Sequence, residues 1–409
     1  MTAVSLTTDD RLAQATQLQL TWWRFRRHRL AVISLGIVAL FYLGAVFADF
    51  LAVADPHATD ARRSFIPPQG ISLFDDGAWR PHVSGLKGVR DPKTFKLAYT
   101  PDPARKLPVV LFAHGYPYNL FGLIPTDRHL LGIEGGQGVD GIFLLGTDQL
   151  GRDLFSRLVV ATRISLSIGL AGVAFSLMLG ILLGGISGLY GGAVDTLIQR
   201  VIEVVRSIPT IPLWMGLAAA LPNTWSVVQV YFAITLIISL VSWTELARVT
   251  RGRFLALREE DFVIAAELAG ASQMRIILRH MLPSFASHII AATSLALREE
   301  DFVIAAELAG ASQMRIILRH MLPSFASHII AATSLALPVM IVSETSLSFL
   351  GLGLRPPAIS WGILLQDAQN VQVLAGAPWL LSAAVPVILV ILAFNFLGDG
   401  VRDAADPYG

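Results

Sequence analysis

Ionisable side chains sit inside apolar stretches of this chain, among them Glu203 and Arg206 in residues 200–221, and Glu344 in residues 327–350. Pro209, Pro212 and Pro338 share those stretches. An ionisable group at the centre of a bilayer costs roughly 2.5 to 3.5 kcal/mol on insertion scales. A proline there frees backbone carbonyls that neighbouring helices or water must satisfy. Two readings stay open: these residues face an aqueous path or a protein partner, or they snorkel and pair structurally near an interface. Other chemistry is sparse. There is no cysteine, which excludes disulfides and thiolate ligands. The nine histidines show no HExxH or other tight ligand spacing, so no metal site is expected. No G-x-x-x-x-G-K-[ST] loop is present to bind ATP, and no cofactor is expected to bind directly. LPVVLFAHGYP, 107–117, puts His114 after a strand-like run, as in the oxyanion loop of α/β-hydrolases. No G-x-S-x-G elbow accompanies it, so His114 reads as a loop histidine.

The elements that must hold these residues are membrane spans. The 409 residues are 54% hydrophobic and only 15% charged, with a mean hydropathy of +0.61. That is too apolar for an ordinary soluble globule. The net charge of +1 gives no case for nucleic-acid binding. Residues 1–29 are polar and end in TWWRFRRHR, ahead of an apolar run at 30–50. The long polar start, the length of the run and the missing small-residue cleavage site argue against a signal peptide. A first span anchored by Trp22 and Trp23 is expected, with Arg24, Arg26, Arg27 and Arg29 keeping the N-terminus cytoplasmic. Residues 51–163 form a Pro-, Gly- and charge-rich insertion and a lead-in, with short strands expected at 95–100 and 107–113. Five further spans are expected near 164–189, 200–221, 228–247, 327–350 and 377–397, leaving 398–409 as a cytoplasmic tail. Arg248, Arg251, Arg253 and Arg258 follow the fourth span, where the positive-inside rule wants them. Gly184, Gly185 and Gly188 in the second span read as packing residues.

The segment between spans four and five is written twice. Residues 257–296 and 297–336 are identical, letter for letter. Each copy opens with an amphipathic stretch, REEDFVIAAELAGASQMRIILRHM, followed by a proline (Pro283, Pro323) that stops or kinks the helix. Ala265, Ala266, Ala269 and Gly270 make a small-residue patch, repeated as Ala305, Ala306, Ala309 and Gly310. Small side chains let another surface approach closely.

Ala265-Ala266, Gly270 and His280-Met281-Leu282-Pro283 together resemble the cytoplasmic EAA loop of bacterial ABC-importer permeases. In particular the segment looks like that of the dipeptide/oligopeptide/nickel branch. LLGTDQLGRDLFSRLVVATRISLSIG (144–169) resembles that branch's stretch before its second span, within which Gly146, Thr147, Asp148, Gly151, Arg152 and Asp153 carry the pattern. ETSLSFLGLGLRPPAISWG (344–362), LGDGVRDAADP (397–407) and the insertion's YPYNLFGLIPTDRHLLGI (116–133) resemble it too. The resemblance implies an all-α membrane protein: the six-helix type I importer permease fold, with a small extracytoplasmic insertion after helix 1. It also implies an ATP-driven importer in a bacterial inner membrane, with both termini cytoplasmic. ATP and Mg would be used by two cytoplasmic ABC ATPase subunits. A second homologous permease and an extracytoplasmic substrate-binding protein complete the set; membrane lipid surrounds the spans and nucleic acid has no part. The cargo implied is a di- or oligopeptide, with nickel chelates, opines or oligosaccharides as alternatives. An ATP-independent secondary transporter or receptor would explain the spans but not these motifs together.

By the same resemblance, Ala265, Ala266, Gly270, Arg275, His280, Leu282 and Pro283 form the ATPase-coupling element within 248–326, and Ala305, Ala306, Gly310, Arg315, His320, Leu322 and Pro323 form its repeat. The family glutamate corresponds to Ile264 and Ile304 here. The first copy ends in thirteen residues, SFASHIIAATSLA (284–296), which as helix rise about 20 Å and fall short of a bilayer core of roughly 30 Å. In the second copy the same letters run on into LPVMIVSETSLSFLG, so only the second should span, and it is the better docking copy.

Overall fold

The computed structural model describes residues 17–90, 97–134, 139–258 and 322–405. The coupling residues 265–320 therefore lie outside the described residues. Helix α1, Gln17–Arg27, leads into α2, Arg29–Val46, where the His28 ring accepts the Ala31 N–H as an N-cap at 3.1 Å. A single turn, Ala48–Leu51, ends the first crossing. The remaining long helices are α3 (Leu154–Tyr190), α4 (Gly192–Ser207), α5 (Thr210–Ala219), α6 (Val227–Arg258), α7 (Leu322–Phe349), the short α8 (Trp361–Asp367) and α9 (Ala384–Ala405).

Among the described residues, four helical segments are long and apolar enough to cross a bilayer: Arg29–Val46, Leu154–Gly188, Val227–Gly252 and Pro378–Ala404. The expected third span, 200–221, is instead a pair, α4 and α5, bent by 92°. Pro209 sets the bend. It excludes the α conformation for the residue before it, and Ile208 takes φ −85°, ψ 129°. Pro209 is itself extended at φ −55°, ψ 127°, so two non-helical residues separate the halves. The expected fifth span falls on α7, which starts inside the second repeat at Leu322 and contains Pro338; its apolar part, Leu335–Phe349, is shorter than the four spans.

The second span starts at Leu154, ten residues before the expected 164, so residues 154–163 belong to the bundle and not to the insertion. Arg157 makes that turn look extramembranous in sequence; its charge is cancelled by distant partners described below. The fourth span likewise runs on as helix to Arg258, so Arg248 and Arg251 lie on α6 and not in a loop after it.

The bundle is all-α, as expected, and the insertion, where two short strands are expected, is a four-stranded antiparallel sheet in the order β1-β2-β3-β4. Its strands are β1 (Ser72–Asp75), β2 (Ala78–Arg90), β3 (Leu97–Leu120) and β4 (Ile124–Ile133). The two expected strands prove to be parts of β3. β2 pairs with its first half, up to Pro108, and β4 pairs with its second half, from Val109. Asp76 and Gly77, at φ 47° and 81°, make the two-residue β1–β2 turn that an Asp-Gly pair favours.

The bundle core is one cluster around Trp361, which is fully buried, with Leu166, Ile234, Ile341, Leu380 and Phe394. α3 packs along α6. A Cβ on Gly184 would sit 2.4 Å from the Ala247 carbonyl oxygen, so the glycine is what permits that approach.

Candidate functional site

The motif at 146–153 folds into a tight polar junction between the sheet insertion and the start of α3. Gly146 and Gly151 take φ 75° and 74°, left-handed conformations that suit glycine, and a Cβ on Gly151 would fall 2.0 Å from the Asp60 carbonyl oxygen. Thr147 ties the junction to the insertion: its hydroxyl accepts the Ile66 N–H at 2.8 Å and donates to the Arg63 carbonyl. Its own carbonyl accepts the Trp379 indole N–H at 3.0 Å, reaching the segment before α9. Asp153 caps α3 by accepting the Ser156 N–H at 2.7 Å. The Ser156 hydroxyl in turn accepts the Val53 and Ala54 N–H groups, both at 3.0 Å.

Asp148 is the centre of the junction. One carboxylate oxygen accepts the Leu150 and Arg152 N–H groups at 2.8 and 3.0 Å. The other accepts from Arg152 Nε at 2.6 Å and from the Arg157 guanidinium at 2.5 Å. Both arginines also reach Asp367 at the end of α8, at 3.4 and 3.2 Å. Asp148 and Arg157 are 2% and 1% exposed at their side chains. Hydrogen bonds offset the cost of burying such a pair: four donors converge on the Asp148 carboxylate, while Arg157 Nε has no partner. Burial, and to a lesser degree the Asp148 charge, push the Asp153 carboxyl up to about 6. Its second oxygen, Oδ1, has no hydrogen-bond partner.

Glu344 forms a second polar centre, deeper in the bundle. It is fully buried, and the Ser165 and Ser348 hydroxyls donate to it at 3.3 and 2.8 Å. Ser165 also accepts the Trp361 N–H at 3.1 Å, so α3, α7 and the start of α8 meet at one carboxyl group. Glu203 and Arg206 are elsewhere, on exposed faces of α4. Glu203 pairs with Arg200 at 2.6 Å, and Arg206 with Glu245 of α6 at 2.5 Å. The structure thus does not bring Glu203, Arg206 and Glu344 together. His114 lies on β3 with its ring 2.8 Å from the exposed Asp127 carboxylate.

Sequence reasoning misses Arg157, Asp367, Ser165 and the Asp195–Arg251 pair. In that pair two guanidinium nitrogens lie 2.5 and 2.6 Å from the carboxylate, clamping α4 to α6. A signal for Arg157 is present: an arginine four residues after the helix-capping aspartate, at the head of an apolar run. Among the described residues no group of three or more His, Cys, Asp or Glu could hold a metal. Of the coupling residues only Leu322 and Pro323 are described, as the first two residues of α7, where a proline costs the helix nothing.

Comparison with known proteins follows this architecture. The N-terminal transmembrane domain profile of oligopeptide transport permease C matches residues 16–68. An oligopeptide transport system permease of Haemophilus influenzae is 34% identical over 66% of this chain and 71% of its own length. A dipeptide transport system permease of Lactococcus lactis is 28% identical over 94% of this chain and 89% of its own. A glutathione transport system permease of Pectobacterium atrosepticum is 31% identical over 71% and 79%. Among solved structures, an inward-facing methionine ABC transporter chain aligns at a TM-score of 0.34 and 16% identity, over 60% of this chain and 95% of that one. The profile described as "Binding-protein-dependent transport system inner membrane component" matches twice, over 180–298 and 292–408, the two matches meeting where the repeat does. Together these matches take in more than half of the chain, which belongs to the family of binding-protein-dependent transport system inner membrane components.

Proposed function

We propose that this chain is the permease subunit of an ATP-driven peptide importer. The observation that carries the reading is the double match to the inner membrane component profile across 180–408. The relatives' functions, oligopeptide and dipeptide transport, support peptides as cargo. The glutathione relative favours short peptides as a second reading. In the assembly we infer, six crossings count the α4–α5 pair as one, both termini face the cytoplasm and the sheet insertion faces outward. A second homologous permease pairs with this one, two ATPases dock beneath, and a binding protein delivers cargo. ATP and Mg belong to those ATPase subunits.

Coupling follows from the load path. A closing ATPase pair biases a two-state bundle only through an element it touches in both states. The second repeat copy qualifies, because its end is already α7, and α7 runs unbroken from Leu322 to Phe349 past Glu344. Displacement of that copy moves the carboxyl group that joins α3, α7 and α8. The first copy is an insertion into the loop. On this reading Ala305, Ala306, Gly310, Arg315, His320, Leu322 and Pro323 form the docking surface. Glu344 is the structural hinge, and Glu203 and Arg206 face the partner permease or the cargo path.

The test uses the assembled complex, reading ATP hydrolysis stimulated by peptide-loaded binding protein. Deleting 257–296 or 297–336 yields the same chain, because the copies are identical. That single deletion should keep stimulation. The copies are told apart by substitution: Gly310→Trp should abolish stimulation and Gly270→Trp should leave it. The reverse pattern would assign docking to the first copy, and loss from the deletion would make the duplication necessary.

A further inference from the structure

The turn between β3 and β4 reads LFGLIP, residues 120–125, and carries no charge. Hairpin tips in water are built from Gly, Asn, Asp and Ser. The β1–β2 turn of this same sheet follows that rule with Asp76-Gly77. Here Phe121 is 53% exposed, Leu123 83% and Ile124 56%. Phe121 also holds φ 55°, a left-handed conformation that a bulky side chain adopts at a cost. The tip therefore leaves much of its apolar surface uncovered by this chain, and something outside the chain must cover it.

Its position says what that is. The Phe121 ring packs edge-on against Phe47, centroids 5.5 Å apart, and Phe47 is the residue directly after the spanning helix α2. Phe112 of β3 sits 6.0 Å from Phe50, one turn further. The hairpin is fixed there. His129 of β4 is buried between Tyr116 and Tyr118, and its two ring nitrogens lie 2.9 Å from the Asp49 and Tyr116 carbonyl oxygens. Asp49 is in turn paired with Arg163 of α3 at 2.9 Å, and Arg163 also donates to the Ala45 carbonyl at 3.1 Å. Leu40, Leu43 and Val46 of α2, and Phe47 just after it, are exposed and form an apolar band along a helix long and apolar enough to cross a bilayer. The hairpin tip continues that band past the end of the helix. Above it the strands turn polar, with Asp127 paired to His114 and Arg128 donating to the Phe112 carbonyl. An apolar edge with polar groups behind it, set at the mouth of a span, is how an interfacial element meets a bilayer, and exposed aromatics favour that depth.

We propose that the β3–β4 tip inserts into the lipid leaflet at the C-terminal end of α2, so that the insertion is seated on the membrane surface at a fixed height. The partner argued for is lipid, because the tip extends the exposed apolar face of a helix long and apolar enough to cross a bilayer.

The absence of cysteine makes the test direct. Single cysteines are placed at Leu123→Cys and Ile124→Cys, with Ala104→Cys on the exposed part of β3 as the water control and Leu40→Cys on α2 as the lipid control. Each is labelled with an environment-sensitive fluorophore in the full chain, reconstituted in phosphatidylethanolamine–phosphatidylglycerol vesicles alone and with its partner permease. The expected result is blue-shifted emission at 123 and 124, lost to shallow nitroxide lipids and resistant to aqueous iodide, while 104 shows the opposite. Iodide quenching at 123 and 124 equal to that at 104 would overturn the proposal. So would protection from both quenchers, which would mean that protein covers the tip.

Discussion

Replacing Arg157 with leucine would strand Asp148 inside the junction. Both side chains are almost wholly buried, and removing one partner of such a pair costs roughly 3–5 kcal/mol. The cost here belongs at the bottom of that range. Asp148 would keep Arg152 at 2.6 Å and its two backbone N–H donors. Asp367, at 35% side-chain exposure, reaches solvent and adds little. We therefore expect a loss of about 3 kcal/mol, or about a hundredfold in the unfolding constant. Denaturant titration of the purified chain in detergent micelles reads it as a lower midpoint at unchanged slope. The cause is then isolated by Asp148→Asn in the Arg157→Leu background. If the cost is an orphaned carboxylate, neutralising it recovers part of the stability, and the double variant is more stable than Arg157→Leu alone. The reasoning is refuted if Arg157→Leu unfolds within about 0.5 kcal/mol of the parent, the range of an ordinary surface change. It is equally refuted if Asp148→Asn adds further loss.

Gly184→Val forces a side chain into the Ala247 carbonyl, 2.4 Å from where its Cβ would sit, and should cost about 1–3 kcal/mol in the same titration. Gly36→Val, with nothing within 4 Å of its Cβ, should leave packing unchanged, and equal losses at both sites would deny the close α3–α6 approach. Asp153 gives a pH dependence. Its folded carboxyl titrates at about 6, above the usual value near 3.9, so the native chain keeps a proton that the unfolded chain has lost. The stabilisation is complete below about pH 4 and disappears as pH rises through about 6, a change of about 3 kcal/mol. Asp153→Asn keeps the cap and should remove that slope; an unchanged difference between parent and variant from pH 4 to 7 would contradict it.

The spans are legible in the sequence because apolar runs of this length need a bilayer to cover them, but their ends are not. Arg157 and Arg251 look like loop charges in any local window. They are helix residues because carboxylates neutralise them, chiefly the buried Asp148 for Arg157, with Asp367, 210 positions away, beside it, and Asp195, 56 positions away, for Arg251. The 146–153 motif is recognisable as a pattern, yet its role as a junction needs those same distant partners. The sheet is half legible. Two β-rich runs stand inside what is one strand, and the Asp76-Gly77 pair is a hairpin signal that the expectation of two short strands leaves out. Pro209 marks the third span as irregular, but a bend of 92° follows from two consecutive extended residues, which composition does not reveal. Glu344 stands out as an acid in an apolar run. Its partners, Ser165 and Ser348, are ordinary serines in sequence and acquire meaning only where α3 and α7 touch.

The central claim is that this chain passes peptides across a membrane at the expense of ATP used by its partners. Its most direct test is uptake of labelled di- and oligopeptides into vesicles holding this permease, its homologous partner and the two ATPases, with binding protein outside and ATP within. The account predicts accumulation that requires both the binding protein and hydrolysable ATP. Peptide accumulation that persists without ATP, or an assembled complex that hydrolyses ATP and moves no peptide, would contradict it.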